Sequence, residues 1–136
     1  MKYLVDANVL SEMTKPRSAV EVMDWLRDHD HESVVNPIIL GELQYGILSL
    51  PAGKRRTRLQ QWFESGLKRL HVLDLDTDTA TIWAMLLAEL KRKGRAMPVK
   101  DSLIAATARQ HGLTVATRNT GHFQHAGVGT LNPFGS

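Results

Sequence analysis

The chain has 136 residues, enough for one domain with a hydrophobic core of its own. It contains no cysteine, which excludes disulfides and cysteine-based zinc or redox sites, and it has no apolar stretch near the ~20 residues of a membrane span. The formal net charge of +3 and the pI of about 9.4 make it mildly basic. Because Asp6 interrupts the first apolar run, no signal peptide is expected, and the chain is predicted to be cytoplasmic.

The first half of the chain predicts two short strands and three helices. β-branched and aromatic residues indicate strands over 2–5 and 33–35, and a short helix follows over 7–13. Ser18 is expected to cap a second helix, whose apolar residues at helical spacing are Val20, Met23 and Leu26. Asn36-Pro37 is a strong start for the third helix, with Asn as the N-cap and Pro in the first turn. That helix is expected to end at Leu50-Pro51.

The second half predicts three more helices and up to three strands. A basic amphipathic helix follows Gly53, with its apolar residues on one side. A long helix is expected from Thr77 or Asp78 to Lys93, and another over 100–111 with Gly112 as its C′ glycine. Strands are expected over 71–75 and 113–117, with a short final strand near 130–131.

Strands that alternate with helices predict a parallel sheet rather than an antiparallel one. No repeat, low-complexity segment or linker divides the chain, so residues 1–136 are expected to form a single α/β domain with a three-layer α/β/α arrangement and a short, mostly parallel central sheet. Ligands of such sheets gather at the carboxyl ends of the strands. Asp6 directly follows the first strand, which is where a functional site is expected.

Three acidic residues stand out because of their apolar surroundings. Asp6 ends a buried strand, Glu42 interrupts the apolar segment IILGELQYGIL, and Asp101 opens the segment SLIAATA. If the three carboxylates converge, they repel one another unless a cation compensates their charge. Mg²⁺ or Mn²⁺ is the natural partner of such oxygen ligands, and either ion promotes phosphodiester hydrolysis by lowering the pKa of a bound water.

Each acidic residue also has a purely structural interpretation. Asp6 fits the N-cap of the helix that follows it, and Asp101 in a first helical turn complements the helix dipole. Glu42 fits a salt bridge to a nearby Lys or Arg. From the residues alone, the metal site and these structural roles stay equally open.

Lysine and arginine are concentrated at 54–58, 68–69 and 91–95. Such clusters suit a polyanionic partner. From charge alone, a solvated helix surface is the favoured interpretation.

Four segments together identify a family resemblance. They are YLVDANVLSE, GELQYGI with the following LPAGKRR, GRAMPVKDSLIAATARQHGLTVATRN, and the closing LNPF. In this order and over nearly the whole chain, they resemble the PIN-domain ribonucleases, specifically the VapC/FitB-like toxins of type II toxin–antitoxin pairs.

The resemblance implies a PIN-like fold and a Mg²⁺- or Mn²⁺-dependent endoribonuclease that cleaves RNA. The metal ligands and catalytic acids of the family fall on Asp6, Glu42 and Asp101. The resemblance also implies a homodimer, a higher toxin–antitoxin assembly, and a small antitoxin whose C-terminal segment crosses the acidic site.

The chain departs from the family pattern at two places. Many PIN domains carry a fourth acid near the TRN stretch, where this chain has TRNTGHF, with Asn119 and His122 at the two positions in question. Asn119 is the weaker candidate ligand, through its amide oxygen, and His122 is expected to be a neutral hydrogen-bonding residue. Ala7 stands where the opening motif often has Thr, which removes one polar contact.

Several polar and basic residues are expected to bind substrate around the acids. Asn8 is expected to orient a carboxylate or the attacking water. The residues expected to hold phosphate are Arg118, Lys54, Arg55 and Arg56.

Two other functions stay open from the sequence. The altered TRNTGHF segment suggests a catalytically weak module that binds RNA or a protein partner. A phosphotransferase that uses Asp6 as the phosphoryl acceptor is the less favoured alternative, because that chemistry needs a second Asp where this chain has Asn8.

Overall fold

The computed structural model describes residues 1–135, apart from the side chain of Lys68. Within that range, five strands form one sheet: Tyr3–Val5 (β1), Ser33–Val35 (β2), His71–Val72 (β3), Thr114–Ala116 (β4) and Thr130–Leu131 (β5). The strand order is β3-β2-β1-β4-β5, and every neighbouring pair is parallel. The predicted α/β class with a short parallel sheet is therefore confirmed.

Six α-helices connect the strands within the described range. They are Ala7–Leu10 (α1), Val20–Asp28 (α2), Pro37–Leu48 (α3), Lys54–Ser65 (α4), Thr77–Arg92 (α5) and Val99–His111 (α6). No helix among residues 1–135 has the length and apolar character that crossing a membrane requires.

The central strand β1 carries the first acidic residue to the functional edge of the sheet. Leu4 and Val5 are almost fully buried, as a strand covered by helices requires. Asp6 follows at once, and its backbone N–H donates to the carbonyl of Ala116 at 2.9 Å, which extends the pairing with β4. The position of Asp6 is therefore set by the most enclosed strand of the molecule.

Asn36 connects the helices that carry the other two acidic residues. It follows β2, is fully buried and caps α3 by accepting a hydrogen bond from the backbone N–H of Ile39 at 2.9 Å. Its amide also donates to the hydroxyl of Thr107 on α6 at 3.0 Å. Because α3 carries Glu42 and α6 carries Asp101, this pair of bonds fixes the two helices relative to each other.

The start of α2 differs from the prediction. The N-cap is Ala19 rather than Ser18, and it forms no side-chain cap bond. The buried carboxylate of Glu12 accepts from the backbone N–H of Ala19 at 2.9 Å. The hydroxyl of Ser18 donates instead to the carbonyl of Glu12 at 2.8 Å. Of the apolar residues expected to face the core, Leu26 is buried and Met23 packs against the core partly buried, but Val20 is 69% exposed and Val22 is buried in its place.

The edge strand β3 is shorter than expected, since it ends at Val72 rather than at residue 75. Its only partner, β2, ends at Val35, whose carbonyl accepts the last bond from the N–H of Leu73. Beyond that point Asp76 begins the capping box of α5. The predicted start of α3, the Gly53 boundary, the left-handed Gly112 (φ 65°) and the strand near 130–131 are all confirmed.

We expect Asn36→Ala to lower the free energy of unfolding by roughly 1–3 kcal/mol, because it removes an N-cap and leaves the Thr107 hydroxyl without its partner. Urea denaturation of the two proteins measures the difference. Gln44→Ala on the exposed side of α3 is the matched control. A loss in Asn36→Ala no larger than that of the control contradicts this role.

Candidate active site

Asp6 is held by three donors at the carboxyl edge of the sheet. Its Oδ1 accepts from the backbone N–H of Ala7 at 2.8 Å, which makes it the N-cap of α1. Its Oδ2 accepts from the hydroxyl of Thr117 at 2.8 Å and from the amide of Asn8 at 3.2 Å. Only 3% of the residue is exposed. Burial raises the pKa of Asp6 above its ordinary value, although the bonds from Thr117 and Ala7 oppose the shift.

Asn8 is a positioning residue for this carboxylate. Its amide N–H₂ donates both to Asp6 and to the hydroxyl of Thr117, at 3.2 Å in each case. Its amide oxygen accepts from the backbone N–H of Arg118 at 3.0 Å. Both ends of the side chain are therefore engaged in holding the loop after β4 against Asp6.

Thr117 is a site residue that the sequence reasoning missed. It is fully buried, and its hydroxyl also accepts from the backbone N–H of Asn119 at 3.1 Å. Ala7 lacks the hydroxyl that the family pattern often places beside the first acid, and Thr117 supplies a hydroxyl from the neighbouring strand. The available signal was its position at the carboxyl end of the predicted strand LTVAT, level with Asp6.

Glu42 lies on α3 with its two carboxylate oxygens in different environments. Oε2 accepts a bond from Nζ of Lys100 at 3.3 Å, which is the predicted salt bridge. Oε1 is buried and has no hydrogen-bond partner among the residues that the structure describes. Burial is the main cause that raises the pKa of Glu42, and the charge of Asp6 adds to it. Burying a carboxylate oxygen without a hydrogen-bond donor costs free energy of folding. The salt bridge on the other oxygen does not remove that cost.

Asp101 lies in the first turn of α6, where it complements the helix dipole. Its side chain is 15% exposed, and Oδ2 lies 2.9 Å from Nδ1 of His122. His122 is half exposed and belongs to the short turn over Thr120–Phe123. Of the two residues near the missing fourth acid, His122 is thus the one that contacts an acidic ligand candidate.

The three carboxylates lie close enough to feel one another's charge. Asp101 raises the pKa of both Asp6 and Glu42, and Asp6 raises that of Glu42. Within residues 1–135, however, no group of three or more His, Asp or Glu side chains is arranged as a preformed metal cage. The like charges of the carboxylates repel one another. In addition, Glu42 is paired with Lys100, and Asp101 is paired with His122.

The donor set fits a hard divalent cation. A Mg²⁺ or Mn²⁺ ion, which prefers oxygen ligands, would stabilise three mutually repelling carboxylates and the buried oxygen of Glu42 that has no donor among the described residues. The same ion would offset the desolvation that raises the pKa of Asp6 and of Glu42.

A groove of about 360 Å³ opens beside Glu42 and Asn8, between α3 and α4. Its floor is mostly apolar, formed by Leu43, Ile47 and Leu59 among others. Arg55 is the member of the predicted basic cluster that lines this groove. Lys54 and Arg56 lie beside it on the first turn of α4.

Arg118 and Asn119 lie on the loop that follows β4. The guanidinium of Arg118 stacks on the ring of Phe134, 4.5 Å from its centroid. Asn119 is exposed, and its side chain forms no hydrogen bond with any residue of the described range. Phe134 of the tail segment LNPF therefore contacts the side chain of Arg118.

The raised pKa of Glu42 predicts how stability depends on pH. A carboxyl whose pKa exceeds its ordinary value of 4.5 binds its proton more tightly in the folded protein, so stability falls as pH rises from 4.5 through the raised pKa. With EDTA present, we therefore expect Glu42→Gln to melt at a higher temperature than the parent at pH 7. The difference should shrink at pH 4.

Glu64→Gln, an exposed acid on α4, is the control for the general effect of removing a negative charge. Differential scanning calorimetry at both pH values measures all three proteins. A Glu42→Gln protein that melts below the parent at pH 7 shows that the carboxylate is stabilising, contrary to this account.

Comparison with known proteins identifies the family of this chain. The PIN domain model matches residues 3–128. The VapC ribonuclease Y4jK of Sinorhizobium fredii is 36% identical, and the match covers 96% of each chain. Toxin FitB of Neisseria gonorrhoeae is 37% identical over 96% of this chain and 97% of its own. The crystal structure of FitAcB from the same species superimposes with a TM-score of 0.91 at 35% identity, covering 97% of this chain and 98% of that one. This chain is therefore a member of the PIN-domain family, related to the VapC and FitB toxins.

Proposed function

We propose that this protein is a Mg²⁺- or Mn²⁺-dependent endoribonuclease that hydrolyses RNA phosphodiester bonds in the cytoplasm as the toxin of a type II toxin–antitoxin pair. The observation that carries the proposal is the buried, unpartnered Oε1 of Glu42 among three mutually repelling carboxylates. A relative named as a VapC ribonuclease supports the choice of RNA.

The proposed metal ligands are Asp6, Glu42 and Asp101, with the amide oxygen of Asn119 as an additional ligand. When bound, the ion supplies a Lewis acid that activates water and neutralises charge on the phosphate. What supports Asn119 is that its backbone N–H donates to the hydroxyl of Thr117, the same hydroxyl that donates to Asp6. The hydroxyl of Thr117 thus supports two of the four proposed ligands, Asp6 and Asn119.

The chain's own residues fix the geometry that the reaction needs. Thr117, Asn8 and the N–H of Ala7 prevent Asp6 from rotating. Lys100 holds one oxygen of Glu42 and leaves the other free for a ligand. Small errors in such positions are costly, because catalysis depends on reacting groups held within a fraction of an ångström.

Basic residues at the rim are proposed to hold the phosphates on either side of the cleaved bond. Arg55 reaches the groove beside Glu42, with Lys54 and Arg56 next to it on α4. Arg118 follows β4, and its backbone N–H is bonded to Asn8. Its guanidinium stacks on the ring of Phe134, an arrangement that leaves the N–H groups in the guanidinium plane free to donate.

The partners are proposed from the assemblies of the relatives. Solved structures similar to this chain are toxin–antitoxin complexes, FitAcB among them. We infer that a small cognate antitoxin covers the acidic site with its C-terminal segment. A homodimer is also proposed, as the resemblance to the toxin family implies. A higher toxin–antitoxin assembly follows from these two contacts.

A catalytically weak binding module is the second candidate, and one observation favours it. Lys100 and His122 engage two of the three carboxylates, and the described residues contain no preformed metal cage. The phosphotransferase alternative gains no such support. That chemistry needs an acid at the position of Asn8, and both ends of the Asn8 amide form hydrogen bonds within the site.

We expect purified protein to cleave RNA with Mg²⁺ or Mn²⁺ and not with EDTA. Asp6→Asn and Asp101→Asn should each lower the rate by about 100-fold or more, since each removes a charged ligand of the ion. A fluorescent RNA substrate measures the rate.

The matched control is Asp78→Asn, an acid in the first turn of α5 away from the site. Substituted proteins that cleave as fast as the parent contradict the proposal. Calorimetric metal binding without any turnover of RNA supports the binding-module candidate instead.

In bacterial cells, expression of this chain should arrest growth, because an active toxin destroys RNA that the cell needs. Co-expression of the product of the adjacent small reading frame should restore growth, as should Asp6→Asn. Growth curves with immunoblots at matched protein levels test this. Arrest that persists in Asp6→Asn attributes the toxicity to something other than cleavage.

A further inference from the structure

Lys100 lies at the solvent-facing rim of the acidic site. It is in the first turn of α6, beside Asp101, and its Nζ reaches across to α3, 3.3 Å from Oε2 of Glu42. The side chain is 65% exposed. Its charge opposes the burial effect at both Asp6 and Glu42, lowering the pKa of each, so the ammonium is close to more than one carboxylate.

The charge balance of the site shows why a fixed cation is needed there. Asp6, Glu42 and Asp101 together carry three negative charges when ionised, and one divalent ion neutralises two of them. The site would then still repel an RNA phosphate. The single charge of Lys100 removes that remaining repulsion at the point where substrate enters.

Lys100 also has the hydrogen-bonding capacity for a second partner. An ammonium group has three N–H donors, and the described contacts of Lys100 use one of them on Glu42. The exposed position leaves the other donors directed toward solvent. An ammonium is a compact charge on a flexible stem, which suits a phosphate oxygen that arrives from different directions.

Space for a nucleotide adjoins the ammonium. A shallow cleft of about 260 Å³ is lined by Lys100 and Glu42 together with Pro37, Ile38, Gly41 and Tyr45. Its surface is largely apolar apart from the two charged groups. A sugar and base attached to the bound phosphate would therefore find an apolar surface next to the charge that holds it.

We propose that Lys100 is a catalytic residue that binds a non-bridging oxygen of the RNA phosphate at the acidic site. This role rests on the proposed ribonuclease function. It goes beyond the acidic set, because it assigns to this chain a basic residue that touches substrate at the point of cleavage. The competing explanation is that Lys100 does no more than orient Glu42.

Three measurements on Lys100→Met and Lys100→Arg separate these explanations. Cleavage of a fluorescent RNA with Mn²⁺ gives kcat and KM. Anisotropy of the same RNA with Ca²⁺ in place of Mn²⁺, at several salt concentrations, measures binding. Calorimetry with Mn²⁺ alone measures metal affinity without RNA. Lys2→Met is the matched control, an exposed lysine at the amino end of β1, on the opposite edge of the sheet.

If Lys100 binds phosphate, Lys100→Met lowers kcat/KM by about 10- to 100-fold, the size of one charge-assisted hydrogen bond. The slope of the logarithm of the RNA association constant against the logarithm of the salt concentration becomes shallower by about 0.7, the value for one phosphate contact to a single strand. Mn²⁺ binds at least as tightly as to the parent, because a nearby positive charge is gone. Lys100→Arg keeps the charge and recovers most of the loss.

If Lys100 only orients Glu42, Lys100→Met weakens Mn²⁺ binding in parallel with cleavage and leaves the salt slope unchanged, which overturns the proposal. Cleavage by Lys100→Met at the parent rate also overturns it. A parent protein that cleaves no RNA shows that the proposed function is wrong, and the anisotropy measurement then still decides whether Lys100 contacts phosphate.

Discussion

The site depends on one buried carboxylate at the end of the central strand. Asp6 is almost fully enclosed, and donors from the next residue, from α1 and from the loop after β4 fix both of its oxygens. Enclosure alone favours the neutral form of the acid, and the donors favour the ionised form. The remaining parts of the site are arranged around this balance: Glu42 and Asp101 add negative charge next to Asp6, and Lys100 adds positive charge at the rim.

The structural and functional interpretations of the acidic residues turn out to be compatible. Asp6 is a helix cap, Asp101 complements a helix dipole, and Glu42 forms a salt bridge. None of these contacts uses every lone pair of the carboxylate. A capped or paired carboxylate is oriented by its structural contact, so the structural role prepares the group for a ligand on its remaining face.

Much of this arrangement was accessible from the sequence, for identifiable physical reasons. The parallel α/β fold follows from the alternation of strands and helices, and Asn36-Pro37 and Gly112 marked helix ends through local chemistry. The start of α2 was predicted wrongly because the N-cap is Ala19, whose N–H is satisfied by the carboxylate of Glu12 from a preceding turn, while the hydroxyl of Ser18 donates to a carbonyl. Thr117 and Lys100 were missed because their partners lie 111 and 58 residues away along the chain, and no local pattern encodes such contacts.

The contact between Thr117 and Asp6 also determines when the site is assembled. It joins residues separated by 111 positions, and β1 lacks one of its two neighbours until β4 is in place. During synthesis, Asp6 leaves the ribosome long before Thr117 does, so the first acid has neither its hydroxyl donor nor its full strand pairing while the chain grows. The nascent polypeptide thus cannot complete the acidic site early. Any activity of this site would therefore begin only when translation is nearly complete.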